Sequence, residues 1–342
     1  MAWAAFGGAY VGAVAFVSSV LARPAAEVLL VLAAGSRLSS YVGATVGEIG
    51  FLRGIWMDGS RRLAWLEDYA ASFMAAADLP VPASLRQGIR LEHVSFAHLS
   101  VATPAVQDVS FEVRRGETVA FVGPSGAGKT TLVKLLAKMY EPSSGALFAD
   151  DTPLSRVRAD EWRGRLSGAF QDFFRFEFRA RHTVGVGDIA RMDEEPAVAT
   201  AVARAGADDV VVRLKAGLDT QLGPTWPDGV EVSFGQWQKL ALARGFMRDE
   251  PLLLILDEPT AALDAETEHA LFERYASAAR SGGRGTGRIT VLVSHRFSTV
   301  RMADLILVLD GARLAEAGTH DELMARGGHY AQLYAIQAAA YR

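Results

Sequence analysis

No cysteine occurs among the 342 residues. That excludes disulfides and thiolate metal sites, and it turns the reading away from redox chemistry. Surplus positive charge is missing too. The formal net charge is −4 and the pI about 6.0, which argues against a strongly cationic surface for nucleic acid. There is no internal repeat and no low-complexity tract. The stretch Met1 to Ala22 has no charged side chain in 22 residues. What is present is 50% hydrophobic and 22% charged, enough apolar material for a sizeable core. The length suits about two domains.

The uncharged front is long enough to cross a bilayer at ~1.5 Å per residue. A secretory signal would begin with positive charge, and none is there. A buried helix of a soluble protein would seldom run this long uncharged, so a membrane helix is expected. Arg23-Pro24 breaks the run, and a second long helix is expected from about Glu27 to Ala77. Its first part, Val28 to Leu52, is apolar apart from Arg37 and Glu48. Those two would face other helices or a water-filled path, or Arg37 would snorkel from near an end. The second part carries Arg53, Asp58, Arg61, Arg62, Glu67 and Asp68. A helix this long outreaches the ~30 Å hydrocarbon layer, and its arginines place the projecting end on the cytoplasmic side. Residues 1–80 therefore read as a membrane segment of two helices and 81–88 as a linker that begins inside the Pro-rich stretch Leu79 to Ser84, LPVPAS. Residues 89–342 read as a second domain.

That domain is organised around Gly123-Pro124-Ser125-Gly126-Ala127-Gly128-Lys129-Thr130-Thr131. The stretch fits the phosphate-binding pattern G-x-x-x-x-G-K-[ST]. The β-branched, apolar run Thr118 to Val122 precedes it, and Leu132 to Met139 follows with helical spacing. A strand that enters a glycine-rich turn and leaves as a helix aims backbone N–H groups and a helix N-terminus at one spot, an anion cradle. Lys129 would reach the terminal phosphates and Thr130 would place its hydroxyl on Mg²⁺. Upstream, Ile89 to Phe96 and Val109 to Val113 read as antiparallel strands. Downstream, Thr183 to Gly206 reads as helix. Leu252 to Leu256 and Ile289 to Val293 read as strands buried on both faces, and Leu305 to Leu309 with Arg313 to Ala317 as an edge pair. Strands alternating with helices imply a mainly parallel sheet with an antiparallel flank.

Asp257 and Glu258 end the first of those apolar runs, where ligands of open α/β sheets bind. Asp257 can hold Mg²⁺ through water. Glu258 can orient and deprotonate a water in line with the γ-phosphate. His295 ends a later strand and can hydrogen-bond the γ-phosphate. Gln171 is placed to touch Mg²⁺ and the attacking water.

Together these motifs resemble the ATP-binding cassette (ABC) transporter family: the Walker A loop Gly123 to Thr131, a Q-loop at Gln171 and a signature at Val232 to Gln236. Walker B at Leu253 to Asp257 with Glu258, a D-loop at Ala261 to Asp264 and a switch histidine at His295 complete the set. The match runs from about residue 89 to 335. The front resembles the end of an exporter-type membrane domain, so the chain looks like a half-transporter truncated to its last two membrane helices plus the nucleotide-binding domain. The resemblance implies a P-loop α/β fold with a helical subdomain, ATP and Mg²⁺ as ligands, and a second half-transporter as partner. It also implies a place in the cytoplasmic membrane with the ATPase facing the cytoplasm. ATP held on one cassette would be closed by Ser233, Gly235, Gln236 and the helix N-terminus after Gly235 of the other, with Asp264 at the interface. Hydrolysis would then reopen the dimer, and in a full exporter the long second helix would carry that motion to the membrane part.

Two positions depart from the family. Phe234 stands where the signature normally has glycine; Phe restricts the backbone and adds a ring, so closure is expected to suffer. His98 occupies the place of the adenine-stacking aromatic, with Phe96 before it. Three classes compete: an exporter ATPase, a degenerate nucleotide-binding regulator whose partner hydrolyses, and a chromosome-type cassette ATPase. The last needs a coiled-coil insert and basic surfaces, and the chain has neither. Intact Glu258 and His295 favour the first, and Phe234 favours the second.

Overall fold

The computed structural model describes residues 2–20, 24–74, 77–98, 103–258, 287–294 and 296–340. His295, Asp264 and the rest of the D-loop stretch lie outside them. The chain divides into two units, Met1–Ala75 and Ala76–Arg342.

The first unit is helical. Helix α1 (Ala2–Ala15) runs into a π-helical turn, Phe16–Val20. Pro24 then precedes α2 (Ala25–Met74), one unbroken helix of 50 residues, about 75 Å at the usual rise. Tyr10 fixes the pair: its hydroxyl donates to the Leu32 carbonyl at 2.6 Å, and its ring fills the space a Cβ on Gly35 would need. Along α2, Leu29, Leu30, Leu38, Tyr41, Val46, Ile49 and Phe51 stand exposed. Among the described residues α2 alone is long and apolar enough to cross a membrane; the apolar stretch Gly7–Val20 is shorter.

Among the described residues the second unit contains two sheets. In the antiparallel one, β1 (Gly88–Phe96) lies between β2 (Val106–Arg114) and β4 (Ser144–Ala149), with the short β5 (Thr152–Pro153) outside β4. The six-stranded sheet has the order β10-β9-β3-β8-β7-β6. Here β3 is Thr118–Val122, β6 Leu166–Ala169, β7 Leu253–Asp257 and β8 Ile289–Val293; β9 is Leu305–Asp310 and β10 Arg313–Gly318. Only β10 runs antiparallel to its neighbour. All five residues of β3, β7 and β8 are buried, because both faces of the sheet are covered. Val119, Phe121, Leu253 and Ile255 enter one cluster, while Ala120, Val122, Leu254 and Leu256 enter the other. Each large apolar side chain so buried contributes roughly 1.5–3 kcal/mol.

Parallel pairing aligns strand ends. Phe121 of β3 is level with Val293 of β8, and Val293 with Asp257 of β7. The phosphate loop and the carboxylates therefore emerge on one edge, one strand apart.

Two expectations are corrected. The helix after the loop, α3 (Lys129–Leu136), starts inside the motif and not at Leu132. The span Thr183 to Gly206, which lies between α4 (Ala159–Gly164) and α7 (Asp208–Arg213), is not one helix but α5 (Ala180–Gly185), a 3₁₀ turn Ile189–Arg191 and α6 (Glu195–Ala205). Close packing forces the break: a Cβ on Gly187 would strike the Arg244 carbonyl, and one on Gly185 would meet the Met192 carbonyl at 2.6 Å. The Pro-rich stretch and the residue before it make contacts of their own. Leu79 pairs with Val157, Asp78 takes a bidentate bond from Arg156, and Arg165 donates to the Ala83 carbonyl.

Candidate functional site

At the aligned edge, a cleft of about 370 Å³ is lined by Ala105, Ser125, Gly126, Gly128, Lys129, Thr130, Thr131, Gln171 and Glu258. Two glycines allow the loop to wrap it. Gly126 (φ 80°) meets nothing within 4 Å where a Cβ would be, so its backbone stays open to a ligand. Gly128 (φ 100°) sits against the Ala105 carbonyl and turns the chain directly into α3. The first N–H groups of α3 have no partner within the helix, and they face the same space.

Lys129 does not extend freely. Its ammonium donates to the carbonyls of Gly123 (2.8 Å) and Pro124 (3.0 Å). Burial lowers its pKa, against the pull of Glu258 and then Asp257. The charge is thus pre-placed under the loop, with donor capacity left for a phosphate oxygen.

Asp257 ends β7, is 1% exposed, and neither carboxylate oxygen accepts a hydrogen bond from the described residues. Burial pushes its pKa up to about 6; Glu258 adds to this, while Thr130, Lys134 and Lys129 oppose it. The Thr130 hydroxyl is close enough to favour the ionised form without making a hydrogen bond of normal geometry. A buried, unpartnered carboxylate beside a threonine hydroxyl fits Mg²⁺, which takes one or two protein oxygens and completes its shell with water and phosphate.

This predicts a stability cost. The folded pKa of about 6 lies above the ordinary 3.8, so the folded state holds the proton more tightly. Stability therefore falls as pH rises from about 4 to about 6, then levels. Asp257→Asn should raise the melting temperature of nucleotide-free protein at pH 7, by up to ~2–3 kcal/mol of stability. The gain should vanish below about pH 4, and Mg²⁺-dependent nucleotide binding should weaken. Melting curves at pH 4 and pH 7 check it; equal gains at both would overturn it.

Glu258 has φ 46°, the left-handed region that side chains seldom adopt, and its N–H donates to the Val293 carbonyl at 3.0 Å. Backbone strain of this kind clusters at functional sites. It turns the side chain from the sheet edge into the cleft. Gln171 reaches the same cleft from the exposed loop after β6.

The signature residues are elsewhere. Ser233 caps α8 (Phe234–Gly245): its hydroxyl accepts from Gln236 N–H, and the Gln236 side chain accepts from Ser233 N–H at 2.8 Å. The helix begins at Phe234, not after Gly235 as expected. Phe234 therefore has ordinary helical backbone, and the expected conformational restriction does not arise. None of these residues lines the cleft. His98 also lies outside the lining; it sits edge-on to Phe96 (5.0 Å) and to Tyr140 (5.6 Å). Tyr140 stacks on Phe96 at 4.9 Å with Lys134 5.8 Å over its ring. Sequence reasoning missed Tyr140 and Ala105, because neither lies in a motif: Tyr140 follows α3 and Ala105 precedes β2, and only the folded chain brings them beside Phe96.

A strand, a phosphate loop and a helix, with carboxylates one strand away, define a P-loop nucleotide-binding domain of the mainly parallel kind. Residues 106–261 match the family model described as ABC transporter. An ATP-dependent lipid A-core flippase of Nitrosococcus oceani is 38% identical over 252 residues, covering 74% of this chain and 40% of that protein. A putative multidrug export ATP-binding/permease protein of Staphylococcus aureus is 37% identical over 257 residues, covering 75% and 42%. The structure of a bacterial Atm1-family ABC exporter with ATP bound matches with a TM-score of 0.79 at 29% identity, over 97% of this chain and 56% of that one. Residues 106–261 are thus an ABC transporter domain. The matched stretches span less than half the length of these curated relatives.

Proposed function

We propose that this chain binds and hydrolyses ATP as one half of a dimeric membrane exporter. The observation that carries the reading is the single cleft bringing Lys129, Thr130, Gln171 and Glu258 together over Gly126 and Gly128, with Asp257 beneath. In this reading Gly123 to Thr131 cradle the phosphates, and Lys129 pairs with the β- and γ-phosphates. Thr130, Asp257 and Gln171 hold Mg²⁺, which when bound neutralises part of the triphosphate charge. Glu258 removes the proton from the attacking water. His295 senses the γ-phosphate, and His98, with Phe96 and Tyr140 around it, flanks the adenine.

Ser233, Gly235 and Gln236, with the α8 N-terminus and Asp264, close the nucleotide bound by a second half-transporter, identical or related. Residues 1–80 insert in the cytoplasmic membrane as a hairpin, 81–88 link it to the cassette of 89–342, and the cassette faces the cytoplasm. No nucleic acid takes part. The alternative, a regulator that binds nucleotide without hydrolysis, rested on Phe234, on its ring at the interface and on its backbone; the helical backbone removes the second ground.

The full-length chain should sediment with membranes, require detergent for release, and show Mg²⁺-dependent ATPase activity in the detergent extract. Recovery in the soluble fraction would overturn the membrane assignment. Absence of ATPase in a folded extract would favour the regulator.

A further inference from the structure

Phe234 is half exposed, at 53%, and the half that is covered has specific neighbours. Its ring lies 5.6 Å from that of Phe173, and the Arg175 guanidinium sits 5.5 Å from its centroid. Both neighbours come from the loop that carries Gln171 into the cleft. That loop is pinned on either side of Gln171. Phe170 packs against one core cluster, and Phe173 against the other. The last turn of α8 holds the same segment a second time: Arg244 donates to the Phe174 carbonyl at 3.1 Å and to the Thr183 carbonyl at 3.0 Å, and lies 4.6 Å over the Phe176 ring. Helix α8 and residues 173–176 are therefore joined at both ends of the helix.

The N-terminus of α8 offers donors to a ligand. Gln236 N–H is taken by Ser233, which leaves Phe234 and Gly235 N–H at the first turn. A group that engages them would sit on the turn whose Phe234 ring rests on Phe173, two positions from Gln171. With glycine at position 234 no such ring would exist.

We propose that Phe234 is a positioning residue: through Phe173, with Arg175 as an outer clamp, it transmits occupancy at the start of α8 to Gln171. In the dimer read above, on which this inference rests, the group at α8 belongs to the partner's nucleotide. The ring pair then couples the two nucleotide sites. Packed aromatic contacts shift as units and do not deform gradually, so a two-residue lever between two anchored phenylalanines passes on a displacement that a flexible loop would absorb.

The test is a double-mutant cycle on the full-length chain in detergent, using Phe234→Gly, Phe173→Leu and the double variant, with steady-state ATPase measured against MgATP concentration. Wild type should be cooperative. Each single variant should lower the Hill coefficient towards 1 and shift the half-saturating MgATP concentration about two- to tenfold. The double should do no more than the larger single effect, since both remove one contact. Phe234→Tyr, which keeps the ring, should retain cooperativity, and Arg175→Ala should act in the same direction but less.

A merely structural role would lower kcat and melting temperature and leave the Hill coefficient alone. Additive single effects, an unchanged Hill coefficient, or a wild type that hydrolyses ATP without cooperativity would overturn the inference while leaving the ATPase reading intact. A folded wild type that does not hydrolyse ATP would overturn the ATPase reading, and this inference with it.

Discussion

Glu258→Gln should keep ATP affinity near the wild-type value and lower turnover by a factor on the order of a hundred or more. The amide matches the carboxylate in size, so the cleft keeps its shape, but it cannot accept the proton of an attacking water. The surroundings favour a base here. The residue lies at the end of a fully buried strand, and its backbone at φ 46° directs it to the cleft, anchored by N–H to the Val293 carbonyl. With hydrolysis blocked, ATP should hold two chains together, seen as a shift to dimer on sizing in MgATP. Glu258→Gly separates strain from chemistry. Glycine takes a positive φ at little cost, so nucleotide-free protein should become about 1 kcal/mol more stable while turnover stays lost. Turnover near wild type in Glu258→Gln would reduce Glu258 to a strand end.

Lys129→Ala should weaken ATP binding by a hundredfold or more, given roughly 1.5–3 kcal/mol for each hydrogen bond to a charged group. Two effects add. The phosphates lose a cation that burial has partly desolvated, where attraction is screened less than in water. The loop loses its internal tie as well, since the Lys129 ammonium holds the carbonyls of Gly123 and Pro124. Titration with a fluorescent ATP analogue measures the loss, and a melting curve checks that the fold survives. Lys129→Arg keeps the charge but not the compact ammonium that sits between two carbonyls, so it should recover little affinity. Unchanged affinity in Lys129→Ala would end the phosphate-loop reading.

Both experiments address residues that the sequence exposes unaided. Gly123 to Thr131 is contiguous, and the conformations at Gly126 and Gly128 follow from residues able to adopt positive φ. The solid apolar runs of β3, β7 and β8 announce strands covered on both faces, and their register lines up the loop with Asp257. Local reading erred where distant chain segments meet. The span Thr183 to Gly206 has helical composition, yet it breaks where Gly187 must pass the Arg244 carbonyl. Phe234 looked like a backbone restriction because its family counterpart is glycine. The capping box between Ser233 and Gln236 places it in the first helical turn, where any residue is allowed.

By itself the sequence determined the glycine-rich loop, the strands that carry it and the acidic pair after Leu256. These are short-range properties: a turn needs its glycines, and a doubly covered strand needs unbroken apolar side chains. Tertiary structure alone decided that Lys129 is tied to its own loop, that Asp257 is buried without a partner, and that Tyr140 stacks on Phe96 beside His98. It also decided that Phe234 rests on Phe173. Burial and ring contacts depend on which segments the sheet order and the helix packing bring together, and residues 61 positions apart, like Phe173 and Phe234, carry no local mark of a contact made only when the chain has folded.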